Sequence, residues 1–274
     1  VEAANAETPS TPSVIAEVPS YITSMDHDGV HLYWGEEPLA AEGKGGLFRA
    51  ITPNGRVEAL WAGASVSNVV VTGDLVLFTT GMDKRLSAIS KNGGEARLVV
   101  DTDTIAQDIG ISGGGGITGL GRVEDRIVLA LAPFGKCRDN AGAIVTIALD
   151  GRDLKVLTRA CPAALSVDGI DLVWREWGKE KAEGGREDDT IFRMSVHDRK
   201  PIVVAKAQVY LQPVIVGGVV FYVEEAVTPD GFSGIMRAEA NKKPTRFAPG
   251  VSASLSTDGV DLYAHEQPFG TKLF

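Results

Sequence analysis

Several groups of residues have the types that catalytic and metal sites use, but their spacing lacks the context that such sites require. The run Gly114-Gly-Gly-Ile-Thr-Gly119 matches the dinucleotide fingerprint, yet residues 117–123 continue as a β pattern and not as a helix that could hold a pyrophosphate. Gly231-Phe-Ser-Gly234 is too short for a nucleophile elbow. No zinc-type pair occurs among the histidines, which are His27, His31, His197 and His265. These patterns assign no metal and no catalytic residue.

One acidic segment leaves a calcium site open as an alternative. Asp101, Asp103 and Asp108 lie close together in the sequence and could supply oxygen ligands to calcium. The segment lacks the glycine and the distal glutamate of an EF-hand loop, so a capped turn or an exposed acidic loop is favoured. We therefore expect no cofactor, with calcium as the alternative.

Scattered polar residues leave an enzyme open as a second alternative. Glu37, Glu225 and His265 lie in or beside long connections and could line the mouth of a central channel. A hydrolase or lyase with a metal in that channel could be built from such residues, since a fold by itself does not determine activity.

Aromatic residues in loops are the best candidates for contacts with a partner. Trp177, Phe134 and Phe232 lie in polar connections, and aromatic side chains contribute more to interfaces than charged ones do. The alternatives are that each ring packs back onto its own part of the fold, or that the surrounding charges form only a solvated rim. The binding prediction comprises these three residues together with Glu37, Glu225 and His265.

The two cysteines predict a covalent link. Cys137 and Cys161 lie in connections that the repeat described below brings to the same face. A disulfide between them is favoured over two buried thiols if the chain is exported.

The elements that position these residues recur along the chain. Asp28-Gly29 is followed by an apolar run, and the pair recurs at Asp168-Gly169 and Asp258-Gly259, with weaker copies at residues 73, 124 and 217. The resulting steps are 45, 51, 44, 49 and 41 residues, the length of one four-stranded propeller blade. Most of these pairs form tight hairpin turns at little conformational cost. The pattern predicts an all-β fold over residues 13–274, a six-bladed β-propeller with four-stranded blades.

The two ends of the chain predict how the ring closes. The last copy stops at Thr271-Lys-Leu-Phe274, where a third strand begins, and Ser13-Val-Ile-Ala-Glu-Val18 has the pattern of an unpaired strand. We expect the N-terminal strand to pair with the C-terminal blade, which would leave no open edge at the join.

Long connections are predicted to share one face of the propeller. The second-to-third-strand loops at residues 35–45, 132–140, 175–189 and 224–233 lie on the side opposite the tight turns, together with the connection at 101–116. Long loops on a rigid scaffold commonly carry binding residues. This face is therefore the predicted site of partner binding.

The blade pattern resembles that of a known group of propellers. Leu32-Tyr33-Trp34 after Asp28-Gly29, followed by Leu47-Phe48-Arg49 and Asn54-Gly55, resembles the repeat of YWTD-type propellers and their bacterial relatives, including TolB-like repeats. Those families contain both binding modules and enzymes, so the resemblance implies an architecture and not an activity.

Composition restricts the class of partner and the location. The formal charge of −9 argues against nucleic acid and anionic membrane surfaces, and no apolar run is long enough to span a bilayer. Residues 1–12 have the composition of a solvated tail, as expected after removal of a secretory signal or lipoprotein leader. We expect an exported protein that is periplasmic, anchored to the outer membrane or extracellular. Its expected role is as a non-enzymatic binding or assembly module for a protein or envelope component.

Overall fold

The structure is a computed structural model, and the residues it describes form an all-β propeller. These residues are 16–18, 21–37, 45–51, 56–80, 84–111, 115–133, 137, 141–179, 186–209, 212–224, 234–249, 253–257, 262–266 and 271–273. Within them, twenty-four strands pair into six four-stranded antiparallel sheets. The predicted all-β propeller with four-stranded blades is confirmed.

The strands follow one another blade by blade. Strand β1 (Ala16–Val18) comes first. The first blade contains β2 (Tyr21–His27), β3 (His31–Glu37), β4 (Gly45–Ile51) and β5 (Glu58–Gly63). The second contains β6 (Val66–Thr72), β7 (Leu75–Thr80), β8 (Arg85–Ser90) and β9 (Arg97–Asp101). The third contains β10 (Gly115–Val123), β11 (Arg126–Pro133), β12 (Gly142–Ala148) and β13 (Lys155–Ala160).

The later blades keep the same order. The fourth contains β14 (Pro162–Asp168), β15 (Asp171–Glu176), β16 (Asp189–Ser195) and β17 (Ile202–Ala207). The fifth contains β18 (Val214–Val216), β19 (Val219–Glu224), β20 (Gly234–Ala238) and β21 (Thr245–Pro249). The closing sheet contains β22 (Ala253–Thr257), β23 (Leu262–Glu266) and β24 (Thr271–Leu273), with β1 as its outer strand.

The closing sheet joins the two ends of the chain. Strand β1 is antiparallel to β24, with Ala16 opposite Leu273 and Val18 opposite Thr271. The expected pairing of the N-terminal strand with the C-terminal blade is confirmed. Residues 13–15 and Phe274, which belonged to that prediction, lie outside the described residues.

The inner strands surround a central channel. Strands β2, β6, β10, β14, β18 and β22 contact one another in turn, and β22 contacts β2 to complete the circle. Polar groups cross between neighbours: the Asp26 carboxylate accepts from the Val71 N–H at 2.7 Å, and the Thr118 hydroxyl donates to the Pro162 carbonyl at 2.7 Å. Such bonds fix the relative height of adjacent blades.

The aromatic positions of the repeat lie in the core. Trp34 and Trp174 are buried, and their indole N–H groups donate to Glu36 at 2.7 Å and to Glu176 at 3.0 Å. Trp34 stacks on Phe48 in the first blade, and Trp174 stacks on Phe192 in the fourth. The repeated aromatic residues thus stabilise the blades, which explains why the blade pattern indicates architecture.

The two ends of the sheets differ, as the sequence predicts. The turn face carries the tight turns, in which Gly29 and Gly169 have the positive φ that suits glycine. The opposite end, here called the loop face, carries the connections from second to third strands and from blade to blade. These connections include residues 177–179 and 186–188.

One connection on the loop face forms a helix that the sequence did not predict. Helix α1 (Thr102–Ile109) follows β9 and precedes β10. The Asp101 side chain caps its N-terminus by accepting from the Asp103 N–H, and Gly110 ends it in the left-handed conformation. Ile105, Ala106 and Ile109 are buried against the second and third blades.

Among the described residues, none of the helices has the length and apolarity needed to cross a bilayer.

Candidate functional site

The fourth blade carries an exposed tryptophan at its loop-face end. Strand β15 ends at Glu176, and the next residue, Trp177, exposes 52% of its surface. It has the largest side chain among the exposed apolar residues in the described part of the chain. A surface tryptophan of this kind is costly to leave in water and is favoured at interfaces.

Two arginines hold the indole in place. The guanidinium carbon of Arg175 lies 4.1 Å from the centroid of the Trp177 ring, and that of Arg186 lies 4.5 Å from it. Both distances are within the range of a cation–π contact, which is worth about 0.5–2 kcal/mol. Trp177 is therefore positioned by contacts that leave half of its surface exposed.

A buried carboxylate balances these arginines. Asp189 is fully buried at the start of β16, with one oxygen 3.7 Å from Arg175 Nη1 and 3.4 Å from Arg186 Nη2. Arg175 Nη1 also donates to the Val209 carbonyl at 2.7 Å. Burial lowers the pKa of Arg175, and the charge of Asp189 opposes that shift. Arg175, Trp177, Arg186 and Asp189 are called the Trp177 cluster below.

The base of the loop is braced by the backbone. The Gly178 N–H donates to Asp189 Oδ1 at 2.9 Å, and the Glu187 N–H donates to the Lys179 carbonyl at 2.8 Å. A side chain at position 178 would have no room, because an added Cβ would lie 1.9 Å from the Glu187 carbonyl oxygen. This close approach requires glycine and holds the two ends of the loop together.

The other predicted binding residues do not join the Trp177 cluster. Glu37 ends β3 in the first blade and is exposed, but it lies three sheets away around the ring from Trp177. His265 lies in β23 of the closing sheet. Phe134, Phe232 and Glu225 lie outside the described residues. The structure thus describes the surroundings of Trp177, and binding by each of the six residues stays a prediction.

The predicted disulfide is present. Cys137 and Cys161 are bonded, with Cα atoms 5.6 Å apart and a sequence separation of 24. Cys161 lies between β13 and β14, so the bond ties the loop-face connection of the third blade to the start of the fourth. It braces the loop face beside the blade that carries Trp177.

The acidic segment of the calcium alternative has structural partners. Asp101 caps helix α1 and lies 3.8 Å from Arg85 Nε, while Asp103 lies 3.7 Å from Lys84 Nζ. Asp101 therefore caps a helix, where the sequence favoured a capped turn or an exposed acidic loop. Within the described ranges, no three His, Cys, Asp or Glu side chains cluster in a way that could hold a metal ion.

The central channel contains a cavity of about 170 Å³. All six inner strands contribute to its wall, and its polar lining includes Asp26, Asn68, Ser166 and Gln212. Burial raises the pKa of Asp26 to about 6, although hydrogen bonds from the Val71 and His27 N–H groups lower it. The Gln212 amide nitrogen donates to the Leu165 carbonyl at 2.5 Å and the Asn68 amide to the Thr79 hydroxyl at 3.0 Å, so these groups support the ring.

Arg175, Arg186 and Asp189 were not singled out from the sequence, although the repeat contains a signal for one of them. Trp34-Gly35-Glu36-Glu37 of the first blade aligns with Trp174-Arg175-Glu176-Trp177 of the fourth. The two copies share Trp and Glu, which form the buried indole–carboxylate pair. They differ at the positions of Arg175 and Trp177. Departures from a structural repeat mark the residues that the repeat does not need for folding.

Comparisons with known proteins support the fold. No protein-family model and no curated protein matches the chain. A chain from the crystal structure of a nidogen/laminin complex is 14% identical, with 84% of this chain and 81% of that one covered and a TM-score of 0.61. The tricorn protease is also 14% identical with a TM-score of 0.62; 94% of this chain matches 25% of that one.

A third similar structure comes from an enzyme, as the second does. The luciferin-regenerating enzyme is 10% identical, with 94% of this chain and 91% of that one covered and a TM-score of 0.59. The three structures have different functions, and at these identities the likeness concerns the fold alone. The sequence and the comparisons together identify the chain as a β-propeller with four-stranded blades.

Proposed function

We propose that this protein is a non-enzymatic binding or assembly module of the cell envelope or extracellular space, and that it engages a protein partner through the loop face. The observation that carries the proposal is Trp177, a half-exposed tryptophan at the loop-face end of the fourth blade. Desolvation of such a side chain commonly supplies a large share of an interface's binding energy.

The support around Trp177 favours binding over a purely structural role. A structural tryptophan is buried, as Trp34 and Trp174 are in the same repeat, whereas Trp177 stays exposed and is held by Arg175 and Arg186. An anchor that is already ordered loses little conformational entropy on binding. The Trp177 cluster therefore has the properties of a preformed contact point.

Two finer features belong to the same proposal. We infer a ring of six blades, with the closing sheet as the sixth, because the inner strands of all six sheets line one cavity. We infer export because the Cys137–Cys161 disulfide requires an oxidising compartment to persist.

The test compares three variants against the partner that co-purifies with the protein. Trp177→Ala is expected to raise the Kd about 30-fold, since loss of an anchor costs ~2 kcal/mol or more. Phe247→Ala is the matched aromatic control, because Phe247 is 56% exposed but lies on the outer strand of the fifth blade. Arg56→Ala is the turn-face control.

Both controls are expected to leave the Kd within about two-fold, an energy difference below ~0.5 kcal/mol. If Arg56→Ala weakens binding and Trp177→Ala does not, the partner binds the turn face and the proposal is wrong.

A further inference from the structure

The Trp177 cluster contains more positive than negative charge. Arg175 and Arg186 face one buried carboxylate, that of Asp189. Arg175 is 5% exposed, so its charge is almost removed from water. Buried cations are stabilised only when they are paired and hydrogen-bonded, and one carboxylate is shared here between two guanidinium groups.

Both guanidinium groups have a donor edge that is not used. The Nε atoms of Arg175 and Arg186 are buried and have no hydrogen-bond partner in the part of the chain that the structure describes. Arg175 donates through Nη1 to Val209, and Arg186 approaches Asp189 through Nη2 at 3.4 Å. A buried donor without a partner costs about 1–3 kcal/mol, so an acceptor at these edges would be strongly favoured.

We propose that the Nε edges of Arg175 and Arg186, against the indole of Trp177, form a binding site for a carboxylate. The planar guanidinium edge matches the two oxygens of a carboxylate, which would satisfy the free donors and balance the second positive charge. A monoanion fits better than a dianion, because Asp189 already lies against both arginines and would repel a second negative charge.

Access to this site passes Trp177. The indole lies against both guanidinium groups and half of its own surface is exposed, so the site lies next to solvent at this ring. The carboxylate could belong to an acidic side chain of the protein partner, in which case the inference rests on the proposed function, or it could be a free small carboxylate. Both sources present the same chemistry to the arginines.

The direct test follows the arginine Nε–Hε signals by NMR during a titration with sodium acetate. Sodium acetate replaces sodium chloride in this titration, so the ionic strength stays constant. The Arg175 and Arg186 signals, assigned with Arg175→Lys and Arg186→Lys, are expected to shift and saturate. The signal of Arg152, whose side chain is 87% exposed, is the internal control and should not saturate. Arg186→Lys keeps the charge and loses the planar edge, so it should raise the acetate Kd about ten-fold. Arg152→Lys should leave that Kd unchanged.

Two peptides separate the sources of the carboxylate. One carries a single glutamate among neutral residues, and the other has glutamine at that position. If the glutamate peptide displaces acetate and binds about ten-fold more tightly than the glutamine peptide, the site binds an acidic side chain. If acetate saturates and neither peptide displaces it, the site takes a free small carboxylate.

The proposal is overturned if acetate produces no saturable shift at Arg175 and Arg186, or if Arg186→Lys leaves the acetate Kd unchanged. If either result occurs while Trp177→Ala still weakens partner binding, the carboxylate site is rejected and the proposed function stands. If acetate binds but Trp177→Ala does not change the Kd for the partner, the carboxylate site stands and the proposed function is rejected.

Discussion

Replacement of Asp189 by asparagine should destabilise the protein through the two arginines that it balances. Asparagine keeps an oxygen for the Gly178 N–H, which donates to Asp189 Oδ1 at 2.9 Å, so the loop base keeps this bond. The substitution removes the negative charge, which leaves the almost fully buried Arg175 without its carboxylate at 3.7 Å. Removal of one partner from a buried ion pair costs about 3–5 kcal/mol.

The lower end of that range applies here, because both charge-to-charge distances exceed those of a tight pair and Arg186 is about one-third exposed. We therefore expect a loss of about 3 kcal/mol in the free energy of unfolding. For a chain of 274 residues, about 2.1 cal/mol/K of unfolding entropy per residue converts this loss into a Tm decrease of about 5 °C.

Urea denaturation followed by tryptophan fluorescence, with calorimetry for the Tm, measures this change. Asp188→Asn is the matched control, since Asp188 is the exposed neighbour and accepts one bond from Gln208 at 3.1 Å. It should change the free energy by less than about 0.5 kcal/mol. A double-mutant cycle with Arg186→Gln should show favourable coupling between residues 186 and 189. A loss below about 1 kcal/mol in Asp189→Asn would refute the charge argument.

Three further predictions concern the disulfide, the channel and the ring closure. Replacement of both Cys137 and Cys161 by serine should lower stability by about 3 kcal/mol through the loss of loop constraint, and thiol titration of the unfolded, unreduced protein should find no free thiol. Asp26 has a pKa of about 6 when folded, above its unfolded value near 3.9, so the native state binds the extra proton between these values. The stability that this group contributes is therefore greatest in acid and falls as the pH rises from about 4 to 6. Asp26→Asn should remove this decrease from a plot of unfolding free energy against pH, and an unchanged plot would reject the raised pKa of Asp26. Deletion of residues 1–12 should leave the Tm nearly unchanged, whereas deletion of residues 1–19 removes β1 from β24 and should lower it substantially, so equal Tm values would contradict the closure.

The sheets could be predicted from the sequence because each blade repeats the same local physics. A turn pair such as Asp28-Gly29 and the apolar run that ends at Trp34 fix a hairpin, and the spacing of these runs fixes the blade length. Closure followed from the unpaired strand patterns at the two ends. The sequence prediction lacks helix α1 because it treats Asp101, Asp103 and Asp108 as a turn or loop that could hold calcium, although Asp101 and Gly110 are suitable helix caps.

The Trp177 cluster could be predicted only in part. The position of Trp177 in a polar loop predicts a binding residue and leaves open that the ring packs back on its own blade, whereas its partners are Arg175, two positions away, and Arg186, nine positions away. Asp189 reaches Arg175 because β15 and β16 are antiparallel neighbours and because Gly178 lets the loop ends approach closely. Such side-chain pairing depends on register and local backbone shape, neither of which a single sequence specifies at this precision.

Hydrogen exchange of the free protein and of its complex with the co-purifying partner measures which face of the propeller the partner covers. Binding through the loop face predicts that amides in residues 175–179 and 186–189 become more slowly exchanging, while the turns around Asp28-Gly29 and Asn92-Gly93 on the turn face keep their rates. Protection confined to those turns, with unchanged exchange beside Trp177, would contradict binding through the loop face.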